Sequence, residues 1–561
     1  MVDGESEIDD PKFFLAKNGK NNAQAELNAT LDALFNEKTF DDNSTACRFP
    51  ARKRWLQEQL NIQNLVTVEC TKYKQVLKRI DPKSATLIFP AAHINSPASM
   101  FGHTFLRINS AYKSRLLSYA INYAADANPD NTNAAVFAIK GLFGGYFGKY
   151  SLLPYYDKLK EYRETEHRDI WEYDLNLKED EVERMLEHIW ELNGTQSYYY
   201  FFTENCSYNM LWLIEIARPS LHLREEFMFD VIPLETAHIL KEKDVISNSN
   251  YRPSKRTILL KYENLLNSKN LTIPKRLVNS ELKIDDIIKN KTITLKQKQY
   301  ILEAAIEYLE YSFSRNNMSK EKYLKMFHLF SKKRAALGKG EYISIKTPEN
   351  PLDGHRAVRI NSAFGVRDGE NIGFIGFRPA YHDIEDPGYG FLRGTEIEFL
   401  NIELSFKEKE LEVEEATLIS ITSLAQRSEF FDTLSWRTKL SWDKNSLIEQ
   451  TSFTATLGAG YSWGNKYGYT YVMIDPLLYV EDGLTTALGG SLGFVFDKYD
   501  FFSTNIELTH RYYDDAEKQN IVNFSQNFKV SQNFLVKLQY DFIERKLLNE
   551  ETFKVDFHYY F

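Results

Sequence analysis

The sequence predicts an α+β chain: a mixed N-terminal part with helical additions, then an antiparallel β-barrel of about 12 strands. Three observations predict it. Helical spacing of apolar residues stops before residue 356, and alternation with a period of two takes over to the end of the chain. The alternating segments run about 9–13 residues, long for a soluble protein but suited to a tilted membrane-crossing strand. Tyr, Phe and Trp number 34, 38 and 7, and this 14% aromatic load suits a surface that meets lipid rather than water.

The barrel segments follow one another between residues 346 and 561. In NFLVKLQYDFIE, Phe534, Val536, Leu538, Tyr540 and Phe542 share one face, and Lys537, Gln539 and Asp541 share the other. Phe453, Ala455, Leu457, Ala459 and Tyr461 oppose Thr454, Thr456, Gly458 and Gly460. Val522, Phe524, Phe528 and Val530 oppose Asn523, Ser525, Asn527 and Lys529. Turn-like breaks such as RDGEN, WDKNS, WGNKYG, VEDG, DKYD and DDAEKQ separate the segments. The second face is too polar for a protein core, so lipid outside and a polar lumen inside satisfy both faces at once. A soluble β-sandwich is the alternative.

Upstream, three regions precede the barrel. Residues 1–80 are polar and then helical, with RKRWLQEQL reading as a short helix between Cys47 and Cys70. Residues 81–235 carry strand signals in ATLIFPAA, HTFLRINS, LLSYAINYAA and AAVFAIKG, then a glycine- and aromatic-rich loop and helices. Residues 236–345 read as a lysine-rich, mostly helical connector, with Ile301, Ala304, Ala305, Tyr308 and Leu309 at three/four spacing.

Composition excludes several function classes. Lys+Arg and Asp+Glu number 69 and 78, a net charge of −9 with no basic block, which argues against nucleic acid as a partner. No stretch approaches the length of a transmembrane helix. The eleven histidines are scattered without metal-ligand spacing, so neither a metal nor another cofactor is expected. The first thirty residues show no basic start, apolar run or small-residue cleavage site. A barrel of this kind must be exported, so the expectation is a mature chain whose export signal has been removed. Its N-terminal regions then lie in the periplasm, where a Cys47–Cys70 bridge persists and Cys206 is left as a free thiol.

Three features could carry chemistry. In YYYFFTENCSYNMLWLIEIARP, Tyr198–Phe202 reads as strand, Thr203, Glu204 and Asn205 as a cap, and Cys206 as the first residue of a helix. A thiol there feels the helix dipole and free N–H groups, which favour the nucleophilic thiolate. An inert, buried cysteine is the alternative. In HINSPASMFGHTFLRIN, His103 starts a strand and is the candidate base, with His93 its rival. A hairpin turning near Tyr112 sets Asn122 about opposite His103, able to orient the ring. In GLFGGYFGKYSLLPYYDK, Gly144, Gly145 and Tyr146 belong to a loop that could hold acyl chains, with Ser99 and Glu204 beside it; no phosphate-loop pattern is present.

The blocks SPASMFGHTFLRI, LLSYAINYAA, IKGLFGGYFGKYSLLPYY, RDIWEYDLNL and YFFTENCSYNMLWLIEIARPSL resemble the periplasmic catalytic domain of the bacterial lipoprotein N-acylation transferase B family. RPAYHDIEDPGYGFLRGTEIEFLNIEL resembles the β-rich region attached to it in many proteobacterial relatives, and CRFPARKRWLQEQL their N-terminal segment. The ending TFKVDFHYYF, closed by Phe561, resembles the signal read by the barrel assembly machinery, which makes that machinery an expected partner. The resemblance implies a permuted papain-like domain, histidine before cysteine, an order shared with lecithin:retinol acyltransferase. It implies Cys206 as nucleophile, His103 as base, and an oxyanion hole from the Cys206 backbone N–H with the Asn205 side chain. It also implies outer-membrane lipids as surroundings, and a phospholipid or lipoprotein as substrate. The expected function is therefore an outer-membrane-anchored, periplasm-facing thiol acyltransferase. Two rivals stand beside it: a papain-like cysteine peptidase or amidase acting on cell-wall peptides, and a non-enzymatic barrel with an inert periplasmic domain.

Overall fold

The computed structural model describes residues 4–62, 65, 67–91, 102–112, 114–126, 140–141, 144–162, 168–227, 230–407, 410–444, 451–480, 483–546 and 548–561. The chain forms two compact units, one running to Ser254 and the other from Lys255 to Phe561.

The first unit is built on seven antiparallel strands: β1 Pro82–Pro90, β2 Phe105–Ser110, β3 Tyr119–Ala125, β4 Tyr146–Pro154, β5 Ile170–Leu175, β6 Ser197–Tyr199 and β7 Ile246–Arg252. They lie in the order β6-β4-β3-β2-β1-β5-β7. The middle position of β1 explains its unbroken apolar run: Leu87, Ile88 and Phe89 are buried on alternating faces. On one face Ile88, Phe105, Ala120 and Ile170 pack with Tyr155, Leu159 and Tyr162. Helices Glu179–Glu191 and Cys206–Ala217 pack on each other, the first against β1 and the second against β2 and β3.

A buried ion pair crosses this sheet. Arg107 and Glu172 sit 2.9 Å apart with side chains 1% and 0% exposed, and the Tyr155 hydroxyl donates to the same carboxylate at 2.9 Å. Charges so buried need such partners.

The N-terminal segment belongs to the same unit. A disulfide joins Cys47 to Cys70 across helix Pro50–Leu60. The Trp190 indole donates to the Cys47 carbonyl at 2.8 Å, and the Arg52 backbone N–H to Glu191 at 2.8 Å.

Three local expectations change. The strand expected at AAVFAIKG lies largely outside the described residues, and Lys140–Gly141 are helical. The strand expected over Tyr198–Phe202 ends at Tyr199, because the Phe201 N–H turns to the Gly141 carbonyl and the Phe202 carbonyl accepts from Val231. Within the region read as mostly helical, Ile246–Arg252 is a strand paired with β5. Its sequence, ISNSNYR, lies mostly open to solvent at the sheet edge, so it carries no apolar alternation to read.

In the second unit, helix Leu295–Ser314 buries Ile301, Ala304, Ala305 and Leu309 against its helical neighbours. Phe430 and Phe431 enter the same core, Phe430 tilted against Tyr308 and Phe431 edge-on to Tyr311. The remaining chain is a closed barrel of twelve antiparallel strands: 359–367, 370–378, 395–407, 410–423, 435–443, 452–464, 468–480, 484–499, 502–513, 518–531, 534–545 and 548–560. Closure is made by the last strand pairing with the first, Val555 opposite Phe364, and by Leu404 pairing with Ile375.

Burial follows the alternation. In the last strand Phe553, Phe557 and Tyr559 are exposed outward, whereas Thr552, Lys554, Asp556, His558 and Tyr560 are buried inside. Leu457, 66% exposed, stands on the same outer surface. The lumen is filled by ion pairs: Arg437 with Asp475 and Glu507 at 2.6 and 2.8 Å, Lys439 with Glu415 at 2.8 Å, and Lys554 with Glu403 at 2.9 Å. These surround a polar cavity of about 370 Å³. The segment after strand 370–378 folds inward, where Glu385 bonds Ser525 and Lys537 and Asp386 accepts from the Tyr560 hydroxyl. Among the described residues no helix is long and apolar enough to cross a membrane. The outward apolar surface makes the strands the crossing elements.

Candidate active site

Cys206 is the first residue of its helix. The preceding Asn205 is the cap: its Oδ1 accepts from the N–H groups of Ser207 and Tyr208 at 2.9 and 3.2 Å. Its amide nitrogen donates to the carbonyls of Phe201 and Val231 at 3.0 and 2.6 Å. Every polar atom of the Asn205 side chain is thus committed to holding the helix start.

His103 sits two residues before β2, after Gly102, whose φ of +89° places it in the left-handed region. An added Cβ on Gly102 would lie 3.0 Å from the Phe89 ring. The His103 ring stacks on Tyr162, and its Nε2 lies 2.8 Å from Asn122 Oδ1. Because a carbonyl oxygen accepts, Nε2 carries the proton. Nδ1 is then the nitrogen left to hydrogen-bond the Cys206 thiol. Asn122 lies on β3, where Leu106 pairs with Ile121. That register sets Asn122 beside Phe105, so it reaches His103 as a diagonal neighbour on the same face.

Cys206 is 4% exposed and His103 half-buried. Burial pushes the thiol up. The His103 charge and hydrogen bond, the Thr104 backbone N–H and the Ser207 hydroxyl outweigh burial and bring it down to about 7. Burial pushes His103 down, but the sulfur and the bond to Asn122 carry it above its ordinary value. The two groups therefore favour a thiolate beside an imidazolium. Thr104 also ties strand to helix, its hydroxyl donating to Ser207 at 3.0 Å.

The expected loop lies next door. Tyr146 begins β4 directly opposite Tyr199 of β6. Gly144 has a φ of +73°, and a Cβ there would meet the Tyr200 ring at 2.5 Å. The Gly145 N–H donates to the Lys140 carbonyl at 2.6 Å. Glu204 is half-buried, and burial together with Glu7 and Asp9 pushes its carboxyl up to about 7. Ser99 and His93 lie outside the described residues.

The sequence reading missed Thr104 and Ser207, which support the thiolate, Tyr162, which stacks on His103, and Tyr199, which bonds the Cys206 backbone N–H. Strand and helix spacing could have flagged Thr104 and Ser207 as neighbours of His103 and Cys206. It also missed a group able to offer metal donors, His355, His382 and Asp386 inside the barrel. Asp386 Oδ2 there already takes Arg378 at 2.7 Å and the Asp383 N–H at 2.9 Å, so the group reads as a closed hydrogen-bonded cluster.

A thiol–imidazole–amide set in a mixed α/β domain, followed by a lipid-facing barrel, defines an outer-membrane protein with a folded N-terminal part. Residues 72–243 match the family model of the Lnb N-terminal periplasmic domain, which places that part in the periplasm. Models described only as domains of unknown function match the rest: residues 2–59 (DUF7843), 249–342 (DUF7842) and 348–560 (DUF7840). No curated protein matches the chain. Among solved structures, the NanC porin is similar at 9% identity, covering 36% of this chain and 99% of its own, with a TM-score of 0.26. The KdgM porin is similar at 11%, 36% and 99%, TM-score 0.24. Omp33 of Acinetobacter baumannii is similar at 9%, 37% and 99%, TM-score 0.21.

Proposed function

We propose that this protein is a thiol acyltransferase whose periplasmic domain is of permuted papain-like type. The observation that carries the reading is the convergence of Cys206, His103 and Asn122 within a domain that matches the Lnb periplasmic family. The Cys206 thiolate attacks an ester carbonyl of a membrane phospholipid or a diacylated lipoprotein, forming a C–S bond. The ester C–O bond breaks, and the leaving alcohol takes its proton from the His103 imidazolium. An amine, such as the N-terminal amino group of a lipoprotein, then attacks the thioester. It gives its proton to His103, and sulfur leaves as thiolate.

Asn122 fixes the imidazole so that Nδ1 faces sulfur. The barrel holds the chain at the membrane that contains such esters, and the barrel assembly machinery would be its folding partner there. The same residues could serve a peptidase or amidase. What favours transfer is the family match and the lipid-embedded barrel on one chain.

The test is acyl transfer to a synthetic lipopeptide amine by the full chain in phospholipid vesicles. The intact protein should yield an N-acylated product and Cys206→Ala none. Hydrolysis of cell-wall peptides without any N-acylation would establish the rival.

A further inference from the structure

The start of the Cys206 helix has no spare backbone donor. Asn205 Oδ1 takes the N–H groups of Ser207 and Tyr208, and the Asn209 N–H goes to the Asn205 carbonyl. The Cys206 N–H donates to the Tyr199 hydroxyl at 3.3 Å. That last bond is the longest of the set and the only one whose acceptor is itself a donor. An oxygen on the carbon bonded to Cys206 Sγ must lie within reach of the Cys206 N–H. It must therefore enter beside the tyrosine hydroxyl, within reach of both groups.

Building on the acyltransferase reading, we propose that Tyr199 is a further catalytic residue, whose hydroxyl turns from accepting the Cys206 N–H to donating to the tetrahedral oxyanion. When sulfur adds to the ester carbonyl, the C=O π pair moves to oxygen. That oxyanion accepts two hydrogen bonds, from the Cys206 N–H and from the Tyr199 O–H. Tyr199 keeps its proton throughout. When the intermediate collapses, the pair returns, the ester C–O bond breaks, and the hydroxyl resumes its resting bond to the Cys206 N–H.

The surroundings hold Tyr199 for this role. Its ring is buried and stacked on Tyr123, 5.8 Å between centroids at 18°. Tyr123 packs in turn on Tyr150, whose hydroxyl donates to Asn209 Oδ1 at 2.8 Å. Gly148 makes the stack possible, since a Cβ there would fall 2.2 Å from the Tyr123 hydroxyl oxygen. Burial first, then the Cys206 charge and a hydrogen bond to the Cys206 side chain, push the Tyr199 hydroxyl well above its ordinary value, so it stays a neutral donor. The thiolate itself is held chiefly by His103, Thr104 and Ser207. Removing the hydroxyl should therefore harm the acylation step far more than it disturbs thiol ionisation.

The experiment measures single-turnover acylation of Cys206 by a phospholipid, together with the pH profile of iodoacetamide alkylation, in the full chain and in Tyr199→Phe. Acylation should slow on the order of 10²-fold, the scale of one lost oxyanion donor, with the alkylation midpoint little moved. Acylation at the wild-type rate overturns the proposal. So does a slowed variant whose alkylation midpoint has risen enough to account for the slowing, because Tyr199 then acts by supporting the thiolate instead. A 3-fluorotyrosine at position 199 preserves shape and strengthens the donor. It should raise the rate about twofold, and an unchanged rate in that folded protein also counts against the proposal. If the intact chain itself forms no acyl-cysteine, the acyltransferase reading has failed, a result distinct from normal acylation in Tyr199→Phe.

Discussion

Asn122 Oδ1 lies 2.8 Å from Nε2 of His103, although the two residues stand on different stretches of chain, one within β3 and one ahead of β2. The contact fixes which ring nitrogen bears the proton and leaves the other for sulfur. Asn122→Ala removes that acceptor and frees the ring. Acyl transfer should fall on the order of 10²-fold, the lower end of what general acid–base catalysis supplies. Asn122→Asp keeps an acceptor at the same place and should retain more activity than the alanine variant. Steady-state rates with a lipopeptide acceptor check both.

Cys206 alkylation should follow the thiolate. Because its pKa is brought down to about 7, reactivity rises as pH climbs through that value and levels off above it. His103→Ala removes the charge and hydrogen bond that oppose burial, so the midpoint must move up. A stopped-flow iodoacetamide profile from pH 5 to 10 reads the shift.

The Cys47–Cys70 bridge closes a loop of sequence separation 23. In the chain-entropy account a loop of that size is worth about 3 kcal/mol. The double variant Cys47→Ala/Cys70→Ala should lower the melting temperature of the first unit while the barrel keeps its heat-modifiable migration on gels. Differential scanning calorimetry with and without reductant separates the two transitions.

On the barrel wall, the sign of a substitution should depend on parity. Leu457→Arg places a charge on the exposed apolar face near the middle of its strand and should cost about 2–4 kcal/mol of folding in bilayers. Thr456→Arg, one residue earlier, points toward the lumen cavity and should cost much less. Urea titration of vesicle-folded protein compares them.

The barrel was legible because its environment reverses the usual arrangement: Phe553, Phe557 and Tyr559 face outward to lipid, and Lys554, Asp556 and His558 face inward, so period two shows along such a strand. Cys206 and His103 were legible because a capped helix start and a strand start are local patterns. The strand Ile246–Arg252 was not, since its mostly exposed residues lie at a sheet edge and carry no alternation. Tyr199 was hidden inside a five-residue aromatic run in which nothing marks one ring above the others. Arg107 and Glu172 meet only through the pairing of β2, β1 and β5, a relationship that no single stretch of sequence displays.

The central claim is that Cys206 carries an acyl group. Intact-mass and peptide-level mass spectrometry of the full chain, after incubation with phospholipid vesicles and no amine acceptor, tests it directly. The account predicts an added acyl mass confined to the peptide bearing Cys206, removed by neutral hydroxylamine and transferred when a lipopeptide amine is supplied. An unmodified Cys206 under those conditions, with the acyl chain absent or found elsewhere on the protein, would contradict it.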